Sequence, residues 1–169
     1  MRKSTQGSNY LEDHKLLSGS QYGYKKNRST EQAAIFLCDE IRKNVNEGKL
    51  FGVVFIGLRC AFDTINHAAL LNKLTLYGIN SDWFKSYLFD RKQLVEIDGV
   101  KECVTSGVLQ DSIFGPLLFL LFFDIIADCL QHSRIILYAD DTVLYLSTAK
   151  DIDTINNCIS EDMEKLSQF

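Results

Sequence analysis

Residues 137–145 read LYADDTVLY, with Asp140 and Asp141 side by side between two short β-type runs, Arg134 to Tyr138 and Thr142 to Leu146. The link Ala139-Asp140-Asp141 is too short and too polar to be anything but a tight turn. The stretch therefore predicts a buried hairpin with acids at its tip, because Ile135, Ile136 and Leu137 before it and Val143 and Leu144 after it are apolar. Adjacent carboxylates repel, and that cost has to be offset. Two offsets are open: water around an ordinary Asp-Asp turn, or a divalent cation. Mg²⁺ prefers carboxylate oxygens and keeps several waters for substrate phosphates.

Working outward, the element signals are mixed. Asp151 is a helix cap, and Ile152, Ile155, Ile159 and Leu166 follow at helical spacing. Upstream, Pro116, the only proline, fits the first turn of a helix running to about Leu130, with Gly115 before it. Gln93 to Ile97 alternates like a strand, Asp98-Gly99 is a hairpin signal, and Val100 to Thr105 is the return strand. Helices are predicted over His67 to Tyr77, ended by Gly78, and over Asp82 to Phe89, which carries the only Trp, Trp83. Phe51 to Leu58, FGVVFIGL, is a continuous apolar run and predicts a strand buried on both faces. Before it, Ser29 and Gln32 have capping-box spacing. Ala34, Leu37, Cys38, Ile41 and Val45 then make one apolar helical face, with Gly48 as the stop. Residues 1–20 are polar with little pattern, and are expected to be poorly ordered. Helices interleaved with antiparallel hairpins indicate an α+β class.

Composition sets limits. The chain has 169 residues, 46% of them hydrophobic, and a net charge of -4. That is a poor overall match to a nucleic-acid binder, which is normally basic. The charge is uneven, however. Residues 1–30 hold six Lys/Arg against two Asp/Glu, and the remainder is acidic. Affinity for phosphates is therefore expected around Lys25, Lys26 and Arg28. The cysteines, Cys38, Cys60, Cys103, Cys129 and Cys158, are odd in number and match no zinc spacing, so free thiols in a reducing compartment are expected. The opening MRKSTQGSNYLED has no apolar core, and the run Ile113 to Phe123 is too short to cross a bilayer. An intracellular protein of cytoplasm or nucleus, with no transmembrane segment, is expected.

Several blocks together carry a resemblance. LYADDTVLY is similar to the catalytic hairpin of reverse transcriptases, the non-LTR retrotransposon (LINE-type, Jockey-like) kind in particular. QYGYKKNRSTEQA, Gln21 to Ala33, resembles that family's fingers motif. AFDTINHAALLNKL, Ala61 to Leu74, resembles the segment after the first catalytic strand. DWFKSYLFDRKQLVEI, Asp82 to Ile97, resembles a stretch characteristic of these elements. GVLQDSIFGPLLFLLF, Gly107 to Phe122, resembles the template and nucleotide grip. The blocks come in the family's order and span roughly residues 9 to 169.

The resemblance implies the fingers and palm of a right-hand polymerase, with fingers at about 21–50 and 78–106 and palm at about 51–77 and 107–169. It implies an RNA template, a DNA primer and dNTP as partners, and two Mg²⁺ ions held by carboxylates from two strands. Asp140 and Asp141 match the hairpin's catalytic and metal-binding acids. Phe62 matches the aromatic under the incoming sugar, the alternative being an ordinary core aromatic. Gln110 matches the grip glutamine near template and nucleotide, the alternative being a loop polar group. Lys25, Lys26 and Arg28 fall where basic groups favour phosphates, the alternative being a solvated loop.

The chain also departs from the pattern. Gly57 stands where the family's first catalytic aspartate belongs, and Asp63, six residues on and past the strand end, is not expected to replace it. Leu109 replaces a proline, Asp111 a glycine and Cys60 a lysine. The chain ends at Phe169, before the family's remaining palm motifs and thumb. The resemblance thus implies a truncated, degenerate copy with its polymerase activity lost. The other reading is a non-catalytic module binding nucleic acid or a protein. Apolar surface left uncovered is expected to cause self-association.

Overall fold

Ser29 opens the first helix through a complete capping box: its Oγ accepts the Gln32 N–H at 3.3 Å, and the Gln32 side chain accepts the Ser29 N–H at 3.2 Å. Such caps stabilise a helix by roughly 1 kcal/mol. The helix, α1 (Thr30–Asn46), ends in a Schellman motif, with Gly48 at φ +70° donating to Val45 O and Lys49 donating to Asn44 O. The structure is a computed structural model, and it describes residues 17–58, 61–89, 93–97, 100–104, 106–109, 112 and 114–168. The expectations for residues 1–16, Cys60, the Asp98-Gly99 turn, Gln110 and Asp111 lie outside the described residues.

The remaining elements follow in chain order: β1 (Leu50–Gly57), α2 (His67–Leu76), α3 (Asp82–Leu88), β2 (Gln93–Ile97), β3 (Val100–Val104), α4 (Gly115–Phe123), a 3₁₀ helix (Asp124–Cys129), β4 (Arg134–Tyr138), β5 (Asp141–Thr148) and α5 (Ile152–Ser167). This is the mixed α+β order read from the sequence. The predicted helix from Pro116 to Leu130 is an α-helix only as far as Phe123, where the backbone tightens to 3₁₀. The chain forms two compact units, one within Arg59–Phe123 and one joining Leu17–Leu58 to Asp124–Phe169.

The second unit is built on an antiparallel sheet of order β1-β5-β4. Tyr22, Ala33, Ile136 and Tyr145 form a buried cluster on one face, with Leu37 of α1 and Phe51, Val53 and Val143 of the sheet against it. On the other face α5 approaches so closely that a Cβ on Gly52 would stand 2.3 Å from Ile155 Cγ2. A larger residue at 52 would displace that helix.

Two sequence expectations change here. β1 is an edge strand, paired only with β5 among the described residues, and Phe55 is 74% exposed. A continuous apolar run therefore did not mean burial on both faces. The buried stripe of α1 is also turned from the predicted one. Ala33 and Asn44 are buried, with Leu37 and Ile41 partly so, while Ala34, Cys38 and Val45 are exposed. Packing against Tyr22 and Tyr145 decides which face is covered, and Asn44 offsets its burial by donating Nδ2–H to Glu40 O at 2.8 Å.

Behind the hairpin, Asp162 of α5 is fully buried. It accepts the N–H groups of Gln131 (2.8 Å), His132 (3.1 Å) and Ser133 (2.6 Å), which lead into β4. Burial pushes its pKa up, but these N–H groups outweigh that and hold the carboxyl below the ordinary range.

In the other unit, α2 starts at Asn66, whose side chain accepts the Ala69 N–H, and ends at Gly78, φ +71°. α2 packs on α4, and β2 pairs with β3 in the register Gln93↔Val104 to Ile97↔Val100. Among the described residues no helix is long and apolar enough to cross a membrane, and Cys38, Cys129 and Cys158 are free thiols.

Candidate functional site

The site is the turn between β4 and β5. Tyr138 pairs with Asp141 at the end of the hairpin, leaving Ala139 and Asp140 as a two-residue loop. Ala139 has φ +54°, a left-handed conformation that costs a non-glycine residue roughly 1–2 kcal/mol. Asp140 is partly exposed and Asp141 exposed, while the next residue, Thr142, is buried. On the other side of β5, the last rung of the β1–β5 ladder pairs Asp141 with Gly57. Gly57, Asp141 and Tyr138 thus form one row across the sheet. A Cβ added to Gly57 would meet nothing within 4 Å.

The segment before α1 holds the turn from its other flank. Tyr22 N–H donates to Leu137 O at 2.7 Å, and Leu137 N–H donates to Ser20 O at 2.9 Å, so Gln21 bridges β4 in parallel. The Gln21 side chain is 2% exposed, and its Oε1 accepts the Gly23 N–H (2.7 Å) and the Ala139 N–H (3.1 Å). In the sequence Gln21 stands out only as the first letter of a motif, and no local pattern marks it as buried.

The basic residues of this segment have different settings. Lys25 Nζ donates to Ser18 O at 2.7 Å. Lys26 and Arg28 are exposed, and the Arg28 guanidinium lies 4.6 Å above the centre of the Tyr22 ring. Phe62 belongs to the other unit, where it is 6% exposed and stacked on Phe119 with ring centres 4.2 Å apart. The turn around it is tied to the grip-like loop. Val108 N–H donates to Phe62 O (2.8 Å), Gly107 N–H donates to Ile65 O (3.0 Å), and His67 Nε2 lies 2.7 Å from Gly107 O. Gly107, at φ +84°, approaches the Asp63 backbone more closely than any side chain would allow. Gln110 lies outside the described residues.

Among the described residues no three His, Cys, Asp or Glu side chains are grouped to hold a metal ion. Asp140 and Asp141 together suit one hydrated Mg²⁺, which commonly takes one or two carboxylates and keeps its waters. They do not suit a pair of ions, which needs a carboxylate shared from a second strand. Gly57, the residue that β1 brings to the Asp141 rung, has no side chain to give.

The described units combine helices with antiparallel sheets, an α+β fold with an acid-tipped hairpin. A family model described as Reverse transcriptase (RNA-dependent DNA polymerase) matches residues 5–168, and the chain belongs to that family. Its relatives include a probable RNA-directed DNA polymerase from transposon BS of Drosophila melanogaster, 26% identical, the match covering 94% of this chain and 18% of that protein. The RNA-directed DNA polymerase from mobile element jockey of Drosophila funebris is also 26% identical, over 88% of this chain and 17% of its own length. The Pol polyprotein of the type-1 retrotransposable element R2 of Popillia japonica is 28% identical over 66% of this chain and 21% of its own length. The chain thus spans about a fifth of the curated relatives it matches, and it is of the non-LTR retrotransposon kind. In fold it is similar to an apo telomerase from Candida tropicalis, with TM-score 0.63 and 12% identity, covering 94% of this chain and 36% of that one.

Proposed function

We propose that this chain is a reverse transcriptase domain of non-LTR retrotransposon descent in which RNA-directed DNA polymerisation has been lost. The observation that carries this reading is the rung Gly57↔Asp141. The family's chemistry calls for carboxylates from two strands, and here only the hairpin strand has them. Asp140 and Asp141 would hold one hydrated Mg²⁺, which supplies charge neutralisation at phosphate oxygens when bound. Phe62 would pack under an incoming sugar, Gln110 would lie near template and nucleotide, and Lys25, Lys26 and Arg28 would meet phosphates. Template RNA, primer DNA and dNTP are the partners this assignment brings, inside the cell. In this reading the fingers comprise about 21–50 and 78–106 and the palm about 51–77 and 107–169, a division by role that cuts across the compact units.

Losing a ligand that steadies the transition state by about 4 kcal/mol costs roughly a thousandfold in rate. Primer extension on an RNA template with Mg²⁺ or Mn²⁺ is expected to yield no product. Incorporation of deoxynucleotides at a rate of about one per second, within the ordinary enzymatic range, would overturn the reading.

A second reading, a non-catalytic nucleic-acid-binding module, is favoured by the exposed Lys26 and Arg28 in the one basic stretch of an acidic chain. RNA binding should then weaken with salt. Replacing Lys25, Lys26 and Arg28 by Ala should lower the slope of log affinity against log salt by about one per lost phosphate contact. Binding indifferent to salt counts against it.

A further inference from the structure

We infer that Gln21 is a positioning residue for the carboxylate turn, its side-chain oxygen fixing the conformation of Ala139 and hence where Asp140 and Asp141 stand. A buried glutamine is tolerated only when hydrogen-bonded, and Gln21 Oε1 receives two N–H groups, from Gly23 and from Ala139, 118 residues away. The Ala139 N–H is the first in the loop, beyond the Tyr138↔Asp141 rung. A side chain anchored elsewhere therefore takes the N–H that lies beyond the last rung. The backbone bonds of Ser20 and Tyr22 to Leu137 hold Gln21 at the edge of β4, so its reach to residue 139 is set by a rigid frame. Gly23 completes the arrangement. A Cβ there would stand 2.2 Å from Ala139 N, so only glycine lets the segment close on the turn. Gln21, Tyr22 and Gly23 thus have three separate duties: bonding the turn, filling the core beneath it, and admitting its backbone.

The consequence for cation binding rests on the reading of Asp140 and Asp141 given above, whereas the consequence for the turn does not. Amide hydrogen exchange followed by NMR tests the turn directly. In the wild-type chain the Ala139 amide is expected to be protected, and rapid exchange there overturns the proposal without any variant. Gln21→Met keeps the shape but removes the acceptor. It should speed exchange at Ala139 by about tenfold, the worth of one ordinary hydrogen bond, while Leu144 in the centre of β5 is unchanged. Gln21→Glu keeps an acceptor oxygen and should restore protection. Equal acceleration at Ala139 and Leu144, or no rescue by Gln21→Glu, would reduce Gln21 to a general stabiliser and defeat the proposal. Mn²⁺ titration, read as paramagnetic broadening at Asp140 and Asp141, separates the two layers. Weaker Mn²⁺ affinity in Gln21→Met supports positioning toward the cation, and unchanged affinity refutes that part. No broadening in wild type defeats the metal reading, and the exchange data still decide the role of Gln21.

Discussion

Gly57 and Asp141 are partners on the last rung of the β1–β5 ladder, and the space above Gly57 is open. The glycine is therefore not required by close packing, and its φ is not in the left-handed region that favours glycine. A Cβ there meets no neighbour within 4 Å, so a side chain can start from this position. Under the proposed function, the ligand this strand lacks is a side chain at position 57, on a backbone that is ordinary extended strand.

Gly57→Asp is expected to fold. In chelator it should be less stable than wild type by about 0.5–1 kcal/mol, because like charges directly across a ladder repel. Mn²⁺ should reverse the order, since a ligand at a hundred times its Kd stabilises by about 2.7 kcal/mol. Thermal melts of both proteins with and without Mn²⁺ check this. Identical Mn²⁺-dependent shifts would show that position 57 does not face the cation.

Asp162→Asn should cost about 2 kcal/mol at neutral pH, because three backbone N–H groups lose a charged acceptor. The pKa of Asp162 is depressed in the folded chain, so its stabilisation is fully present above the unfolded value of about 4 and is lost as pH falls through the lower folded value. Urea titrations should therefore show a gap between wild type and variant that is constant at neutral pH and closes below about pH 4. A gap independent of pH across that window would contradict the assignment.

Phe62→Ala should destabilise the chain by about 3–5 kcal/mol, as expected for removing a buried aromatic. Phe62→Leu should recover much of that. Chemical denaturation reads both, and wild-type stability in the alanine variant would mean the ring does not serve the core.

Phe55→Ser should reduce self-association. Phe55 is exposed on an edge strand, the kind of surface that recruits a second chain, and on α1 Ile35 and Val45 are also exposed. Sedimentation at several concentrations measures this. A wild-type chain that stays monomeric throughout leaves nothing for the substitution to correct and contradicts the expectation.

Local chemistry was legible in the sequence. The capping box at Ser29, the cap at Asp151, the stops at Gly48 and Gly78, and the hairpin around Asp140 and Asp141 depend on residues a few positions apart, and each is found, the hairpin loop being one residue shorter than read because Asp141 opens β5. Family membership was legible for a related reason, since ordered blocks survive where the chain between them has changed. The edge position of β1 was not legible, because an apolar run records what a strand can bury and not which neighbours it has.

By itself, then, the sequence determined most of the elements, their order, the acid pair and the glycine at position 57. Tertiary structure alone decided the rest: that Gly57 and Asp141 share a rung, that Gln21 bonds Ala139, that Asp162 caps the entrance to β4, and that Phe62 stacks on Phe119. The physical reason is distance along the chain. Each of these contacts joins groups about 30 to 118 residues apart, and no pattern at either end encodes its partner until the sheet and helices bring the two together.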